Sequence, residues 1–475
     1  MLFKLNIRQT YLRIAGAFLL SLAFLIRGGL VCRADTWGGP GDINAGAAIV
    51  MDADTRAILY GKDIHAHCYP ASITKLLTAL IVIENCSMDE TVTFSQRAVT
   101  DLEPGAVTAY MTEGEQLSVE ECLYALLFMS ANDVANALAE HVAGSIEAFA
   151  DMMNERALEL GCEDSNFRNP SGLTDSEHIT SAYDMALIAS ALFENEKFLE
   201  IESSDSYKLS PTEKVPSGLT VTIGHRMLRG GNTYSDDRAV GGKTGFTTAS
   251  GNTLVTMAEE GGRRLCAVVM MDTNPQHYLD TDKMLDFGFG GFENVDASQV
   301  LGMDAIEDRL LLDTVIKEGQ NDISTDREFL ISLPYGADLS QVSTDFEYNL
   351  SAYAPEDAVA RLSLSYEGHT CGNYYILNDR TPIISIEAIP PAAKVAVGVS
   401  VVAVAVGALV FVLVTGGAAY HTHEVREEEK SRRRRAARRR RYRLESMGIS
   451  EEEFEEELRR YKEKYEGRKK QDHKL

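Results

Sequence analysis

The sequence predicts an α/β (α+β) domain over about residues 35–292, with an antiparallel sheet and a helical region. A small all-β domain and one C-terminal transmembrane helix are predicted to follow it. Apolar runs typical of strands occur at 47–52 and 57–60 and again at 254–257 and 265–271, with helical periodicity between them. Because strands occur at both ends of this region with helices between them, we expect one sheet closed by segments from distant parts of the chain.

The helical predictions begin after Pro70, where five apolar residues recur at helical spacing between 76 and 83. The stretch 119–142 predicts further helices with an interruption near Ser130, and 182–193 predicts another. Between them, apolar residues fall at helical spacing at Phe149, Met152, Met153, Ala157 and Leu160.

From about residue 293 the pattern changes to short apolar or alternating runs bounded by turn residues, at 329–333, 346–350, 362–366, 374–377 and 383–386. Glu367-Gly368 and Asn378-Asp379 are typical of turns. The sequence therefore predicts a small all-β domain over 293–390, and Pro390-Pro391 would stiffen the connection that follows it.

Both ends of the chain predict a membrane protein. Residues 1–34 combine basic residues, an apolar run at 14–26 and the small Ala34, the order of a signal peptide. A retained anchor is the alternative, and a lipoprotein through Cys32 is disfavoured by the bulky Val31. Residues 395–414 are uncharged and long enough to span a bilayer, within a predicted transmembrane helix at 393–417.

Nine arginines within 432–443 follow this span, which predicts that the tail 418–475 is cytoplasmic and the middle of the chain extracytoplasmic. We thus expect a single-pass protein of the cell membrane. Ser450 and Glu453 form a capping box before apolar residues at helical spacing, so a short helix is expected there. It could bind a cytoplasmic partner or, with the basic stretch, anionic lipid; a plain stop-transfer signal is the simpler explanation.

Charge and cysteines exclude some functions. The net charge is −25, and since residues 1–34 and 421–475 each carry +5, residues 35–420 carry −35. Such an acidic segment repels nucleic acid. Six of seven cysteines would survive signal cleavage, and they allow 15 pairings or buried free thiols. The cluster His65, His67 and Cys68 lacks a second group at zinc spacing, so no metal site and no cofactor are predicted.

Ser72 and Lys75 are the first candidate catalytic residues. Pro70 favours the first turn of a helix, which places Ser72 near the helix N-terminus and Lys75 one turn further along the same face. A serine hydroxyl needs a base to become a nucleophile. Burial and the positive helix end both favour the neutral lysine that could be this base.

Two further motifs supply the remaining candidates. Ser130 could relay a proton, and the Asn132 amide could hold a substrate carbonyl. Lys243, Thr244 and Gly245 follow two glycines and predict an edge strand that a ligand backbone can approach. Each motif alone is weak, and Ser250-Gly251-Asn252 repeats the Ser-x-Asn pattern by chance; together and in this order they are specific.

These motifs resemble the S-x-x-K, S-x-N and K-T-G signatures of the serine D-alanyl-D-alanine carboxypeptidases, the low-molecular-weight penicillin-binding proteins. The stretches after Ser130, at 169–186 and after Gly245 are also similar to that family, over about 45–272. The resemblance implies a serine transpeptidase/β-lactamase-like fold for this domain.

The resemblance also implies roles. Ser72 would be the acylated nucleophile, Lys75 its base and Ser130 a proton relay; Asn132, Lys243, Thr244, Gly245 and Phe246 would bind substrate. The amides of Ser72 and Phe246 would form the oxyanion hole, and His178 and Asp184 would organise structure. Phe246 stands where many members have His, and Ser250 where Ala is usual, so side-chain preference could differ.

The implied function is removal of the terminal D-Ala from peptidoglycan stem peptides, with β-lactam antibiotics as covalent inhibitors. A serine β-lactamase is the nearest alternative, but it needs a further group, typically Glu, to activate the deacylating water, and 132–243 offers no convincing motif. The other alternative is a catalytically inactive wall-binding or signalling protein, which the presence of every expected catalytic residue disfavours.

Overall fold

A computed structural model describes residues 37–316 and 321–378 of the 475-residue chain. The strands before residue 292 are β1 (Ala47–Asp52), β2 (Ile58–Lys62), β3 (Thr91–Thr93), β4 (Gln116–Ser118), β5 (Ser206–Lys208), β6 (Thr220–Thr222), β7 (Ala239–Thr247), β8 (Gly251–Glu260) and β9 (Arg263–Asp272). The main sheet has five antiparallel strands in the order β2-β1-β9-β8-β7.

Distant parts of the chain close this sheet, as predicted. Strand β1 pairs with β9, so that Ala47 lies opposite Met270 and Asp52 opposite Leu265. All six residues of β1 are buried, and alternate side chains point into two different cores: Ile49 into the core beneath the helices and Val50 into the core on the other face. Burial on both faces explains the continuous apolar run in the sequence.

The helices lie on both faces of the sheet. They are α1 (Lys75–Asn85), α2 (Gln96–Thr100), α3 (Val119–Phe128), α4 (Asn132–Ala143), α5 (Ile146–Leu160), α6 (Ala182–Phe193), α7 (Glu196–Glu202) and α8 (Gln276–Gly291). The predictions account for α1 and α3–α6, whereas α2, α7 and α8 were not predicted. Helices α1 and α3–α6 form the large core with one face of the sheet, and α8 covers the other face.

The start of the first helix differs from the prediction. The α-helix does not begin directly after Pro70: residues Ala71–Thr74 form a 3-10 turn, and α1 begins at Lys75. Ala71 has a positive φ of 51°, which an α-helix cannot continue through. The predicted interruption near Ser130 is confirmed, because α3 ends at Phe128, α4 begins at Asn132 and Ser130 has φ 64°.

The region after residue 292 has its own core, but it is not all-β as predicted. It contains a ten-residue helix, α9 (Met303–Leu312). Ile306 and Leu310, one turn apart, are fully buried against the strands, which is the helical spacing that the strand-based interpretation overlooked. The strands are β10 (Phe292–Asp296), β11 (Ile323–Thr325), β12 (Leu330–Pro334), β13 (Ser343–Glu347), β14 (Ala358–Tyr366) and β15 (His369–Asn378).

Four of these strands form a sheet in the order β11-β15-β14-β13, and β10 pairs with β12. The predicted turn at Glu367-Gly368 joins β14 to β15, with φ of 50° and 87° at its two residues. The strand predicted at 346–350 is wrong in its limits, because β13 ends at Glu347.

Several predictions lie outside the described residues: the signal peptide 1–34, the strand at 383–386, the transmembrane helix at 393–417 and the tail 418–475. Within residues 37–316 and 321–378, no helix has the length and apolar character to cross a membrane. The six cysteines in these ranges are free thiols, five of them buried.

Candidate active site

Ser72 and Lys75 meet at the junction between the 3-10 turn and α1. Ser72 lies within the turn, and Lys75 is the first residue of α1. The Lys75 Nζ is 3.2 Å from the Ser72 Oγ, so the spacing of three residues brings the two reacting groups into hydrogen-bond contact.

The Lys75 amine has two further partners, and together they define its orientation. Its Nζ lies 2.9 Å from the Asn132 Oδ1 and 2.5 Å from the carbonyl oxygen of Ser171. A neutral amine has two N–H donors and one lone pair. The two acceptors use both donors, which leaves the lone pair for the Ser72 hydroxyl proton.

The neutral form is favoured because Lys75 is fully buried. Burial lowers its pKa well below the usual 10.5, and the nearby charge of Lys243 lowers it further. No carboxylate is among its hydrogen-bond partners. The base predicted from the sequence thus has the electrostatic environment that this role requires.

Asn132 is held in the orientation that serves Lys75. Its side-chain amide nitrogen and its backbone N–H both donate to the carbonyl of Val107, each at 2.9 Å. The carbonyl end of the side chain is therefore the end that faces Lys75. The next residue, Asp133, is buried and accepts from the amides of Ala109 and Met111, so it fixes the loop that carries Val107.

The third partner of Lys75, the Ser171 carbonyl, was not predicted. The turn that presents it is organised by Asn169, whose Oδ1 accepts from the amides of Ser171 and Gly172 and from the Ser171 hydroxyl. Gly172 has φ 81°, and a Cβ there would lie 1.8 Å from the carbonyl oxygen of Ala71. The Asn-Pro-Ser-Gly sequence is a turn signature, so this turn was detectable even though its contact with Lys75 was not.

Ser130 is the one candidate catalytic side chain without a contact to the others. Its backbone has a positive φ of 64°, and its Oγ is buried with no hydrogen-bond partner among the described residues. A positive φ at a serine costs conformational energy and is typical of functional sites. The hydroxyl therefore has its hydrogen-bonding capacity unused in this structure.

Strand β7 forms the other side of the site and is the edge strand that the sequence predicted. Lys243, Thr244, Gly245 and Phe246 lie on it in register with β8. At Gly245 a Cβ would lie 2.4 Å from the Thr253 Oγ1 and 2.9 Å from the Ser72 backbone nitrogen. Only glycine lets β7 approach the nucleophile this closely. Phe246, one residue on, is 66% exposed.

Lys243 is buried in the middle of this strand, and its Nζ donates to the Thr244 carbonyl at 3.1 Å. Burial lowers its pKa to about 8, while the charge of Glu202 on α7 opposes that effect. With a pKa of about 8, Lys243 is largely protonated at neutral pH. It is a fixed positive charge beside the nucleophile.

His178 supports the 3-10 turn from behind. Its Nδ1 accepts from the amide of Arg168, so its Nε2 donates to the Thr74 hydroxyl at 3.0 Å. Burial lowers the His178 pKa to about 4, with Lys75 and Arg168 adding to the effect and Asp175 opposing it, so the ring is neutral. Asp184 accepts from the Asp164 amide and the Ser165 hydroxyl. Neither side chain contacts Ser72, as expected of residues that organise structure.

The arrangement has the parts of an acyl-transfer site: a hydroxyl nucleophile, a buried neutral amine, a second hydroxyl and a cationic edge strand. Among the described residues, one group of three metal-ligating side chains has its donor atoms close together, at Cys86, Glu90 and His141. None of the eight candidate residues belongs to it.

Comparison with known proteins gives the same result. Residues 34–274 match the D-alanyl-D-alanine carboxypeptidase family, Peptidase S11. The chain is 32% identical to D-alanyl-D-alanine carboxypeptidase DacF of Bacillus subtilis over 52% of its own length and 63% of that protein's. It is also 32% identical to DacD of Escherichia coli, over 54% and 66%. The chain thus spans somewhat less than two thirds of these relatives.

Among solved structures, penicillin-binding protein 6B of Escherichia coli has a similar fold, with a TM-score of 0.52 and 26% identity over 72% of this chain and 96% of that one. The fold, the three motifs and the match over half of the chain agree with one another. The protein belongs to the D-alanyl-D-alanine carboxypeptidase family, Peptidase S11.

Proposed function

We propose that this protein is a serine-type carboxypeptidase that removes the terminal D-Ala from peptidoglycan stem peptides. The observation that carries the proposal is the contact set of Lys75. Its amine is buried, faces the Ser72 Oγ at 3.2 Å and has both N–H groups directed to other acceptors. The Lys75 amine is thus oriented to accept one particular proton, that of the Ser72 hydroxyl.

In the acylation step, Lys75 Nζ takes the Ser72 proton while Oγ attacks the carbonyl carbon of the penultimate D-Ala. The backbone amides of Ser72 and Phe246 would stabilise the oxyanion. The C–N bond then breaks, the leaving nitrogen receives a proton through Ser130, and the terminal D-Ala departs. A water molecule hydrolyses the ester on Ser72, and the proton that it loses passes to the serine oxygen.

Lys243 would select the substrate. Its ammonium group can bind the free carboxylate of the terminal D-Ala, with the Thr244 hydroxyl as a second contact. The extended substrate would lie along the free edge of β7, and Gly245 keeps that edge close to Ser72. Penicillins would acylate Ser72 in the same way, because a penicillin presents the carbonyl of its strained amide to Ser72 and its carboxylate to Lys243.

The test is an intact-mass and product assay on the purified chain. The native protein should release D-Ala from a peptide ending in D-Ala-D-Ala and form a long-lived penicillin adduct. Ser72→Ala should lose both activities. A penicillin adduct that formed on Ser72→Ala would refute the nucleophile, and rapid hydrolysis of the native adduct would indicate a β-lactamase instead.

We also propose a location, which rests on sequence alone. Residues 1–34 would direct export, and the apolar stretch at 395–414 followed by arginines would hold the chain in the cell membrane with the peptidase outside.

The tail would then contact anionic lipid or a cytoplasmic partner. Deleting 446–475 should leave export, anchoring and peptidase activity intact, and a peptide of 446–470 should gain helicity with anionic vesicles or with a partner. A peptide that stays unstructured with both would remove the reason to assign that segment an interaction.

A further inference from the structure

A second group of reactive side chains lies away from Ser72. The thiol of Cys86, a carboxylate oxygen of Glu90 and a ring nitrogen of His141 all lie within 4.8 Å of one another. The sequence does not suggest this group, because His141 is 51 residues from Glu90. It is also distinct from His65, His67 and Cys68, of which the two histidines lie against Asp164 but, within the described residues, form no group of three with all donor atoms within 4.8 Å of one another.

Short local contacts hold these groups in place. Cys86 immediately follows α1, and its N–H donates to the Val82 carbonyl at 2.9 Å. The Glu90 carboxylate accepts from the Ser87 amide at 2.6 Å through one oxygen, and its other oxygen lies 3.0 Å from the His141 Nε2. The carboxylate is thus oriented by its own turn and directed at the imidazole, and the Cys86 thiol lies on the same side.

The position in the fold favours a cation. Cys86 caps the C-terminal end of α1, and His141 lies in the last turn of α4. The C-terminal ends of helices carry partial negative charge from their unpaired carbonyls, and here two such ends meet. Glu90 and His141 are 43% and 23% exposed, so an ion can reach the group from solvent.

We propose that Cys86, Glu90 and His141 bind a transition-metal ion, with Zn²⁺ as the expected occupant. One sulfur, one nitrogen and one oxygen ligand suit zinc, and water would complete four-coordinate geometry. The thiol and imidazole disfavour Mg²⁺ and Ca²⁺, which require oxygen ligands. A thiol binds zinc as its thiolate, so each ion bound releases one proton to solvent, and thiolate and carboxylate together neutralise the charge of the ion.

The site would join the far ends of two helices that begin in the active site. Helix α1 starts at Lys75 and α4 at Asn132, and the two starts are joined by the contact between these side chains. Cys86 is eleven residues beyond Lys75 and His141 nine beyond Asn132, and at 1.5 Å per residue this places the metal site roughly 14–17 Å away from that contact. The ion would therefore fix the helix pair at its other end without touching substrate, and this inference does not depend on the proposed function.

Cobalt provides the test. The full chain, treated with a chelator and then freed of it, is titrated with Co²⁺, whose bond to a thiolate gives an intense near-ultraviolet charge-transfer band. We expect one equivalent to produce the band, Zn²⁺ to displace the cobalt, and Zn²⁺ to raise the thermal midpoint. Cys86→Ser should abolish the band. His141→Ala should weaken cobalt binding at least about tenfold, because even the loss of a residue that only hydrogen-bonds to a metal ligand lowers metal affinity by that much.

The matched control is the double variant His65→Ala/His67→Ala. It removes two exposed histidines beside a carboxylate, Asp164, and should leave the cobalt titration unchanged. Circular dichroism and a cooperative thermal transition show that each variant is folded; if Cys86→Ser fails this check, Glu90→Gln with His141→Ala replaces it and should lose stoichiometric binding. The proposal is overturned if the native chain gives no band at one equivalent, if the band persists in Cys86→Ser, or if the control removes it.

Discussion

Replacing Gly245 with alanine tests whether the close approach of β7 to the nucleophile matters for catalysis. A Cβ at this position would lie 2.4 Å from the Thr253 Oγ1, 2.9 Å from the Ser72 nitrogen and 3.1 Å from the Ala71 Cβ. Thr253 cannot easily move aside, because it is buried and its hydroxyl donates to the Pro70 carbonyl at 2.9 Å. The strand or the 3-10 turn must therefore shift.

The size of the shift sets the expected effect. Ordinary contacts of a Cβ begin at 3.4 Å, so relief of the Thr253 contact needs a displacement of about 1 Å, and a misplacement of that size in an active site costs on the order of a hundredfold in rate. We expect the second-order rate constant of penicillin acylation to fall by about this factor in Gly245→Ala. Intact mass against time at several penicillin concentrations measures it.

The control is Gly290→Ala. Gly290 lies in α8, where an added Cβ would have no atom within 4 Å, and alanine in a helix should be neutral or slightly stabilising. Its acylation rate should equal that of the native protein. If Gly245→Ala folds with a native thermal midpoint and acylates within about threefold of the native rate, the distance between β7 and Ser72 does not control the reaction.

Three further predictions concern the two lysines. Lys75→Arg replaces the amine with a permanently charged side chain that cannot act as a base near neutral pH, so penicillin acylation should fall by about a hundredfold to ten-thousandfold in a folded protein; a near-native rate would rule out Lys75 as the base. Lys243→Ala should lower kcat/KM for free-acid peptides by about tenfold to a hundredfold, because it removes a charge-assisted hydrogen bond worth about 1.5–3 kcal/mol. It should barely change kcat/KM for the amidated peptide. Equal losses for the two peptides would refute the carboxylate-binding role of Lys243. In a pH series, kcat/KM should first rise as Lys75 loses its proton, because the Lys75 pKa lies well below 10.5. It should then fall above about pH 8, where Lys243 loses its proton. An amidated substrate should not show this fall above about pH 8.

The sequence predicted most of the fold because its elements have strong periodicity. Helix α6 was predicted with its observed limits, and the pairing of β1 with β9 confirms the prediction that distant segments close one sheet. Helix α9 was missed because only Ile306 and Leu310 of its ten residues are buried, which gives a weak helical signal among stronger strand patterns. Tertiary packing against the β-strand core, which no local pattern records, decides its conformation.

At the site, the functional side chains were predicted from the sequence, but the contributing backbone carbonyl was not. Ser72, Lys75 and Asn132 were found by spacing, and the structure brings them together. The Ser171 carbonyl was missed because a backbone oxygen carries no residue-type signature; only the Asn-Pro-Ser-Gly turn around it does. The group at Cys86 and His141 was missed for a different reason, since helices α1 and α4 converge there from separate parts of the chain.

The two active-site lysines are both buried, and their different partners explain how one can be a base while the other stays a cation. Lys75 contacts only neutral groups, whereas Lys243 lies near Glu202, whose ionised form raises the Lys243 pKa against the effect of burial. Burial raises the Glu202 pKa to about 8, so this carboxyl is only partly ionised at neutral pH. The positive Lys243 in turn lowers the pKa of Lys75. A substrate carboxylate bound to Lys243 would offset that positive charge, and the proton affinity of Lys75 would rise. Substrates with a free C-terminus would thus strengthen the base at the moment when it must accept the Ser72 proton, and amidated substrates would not.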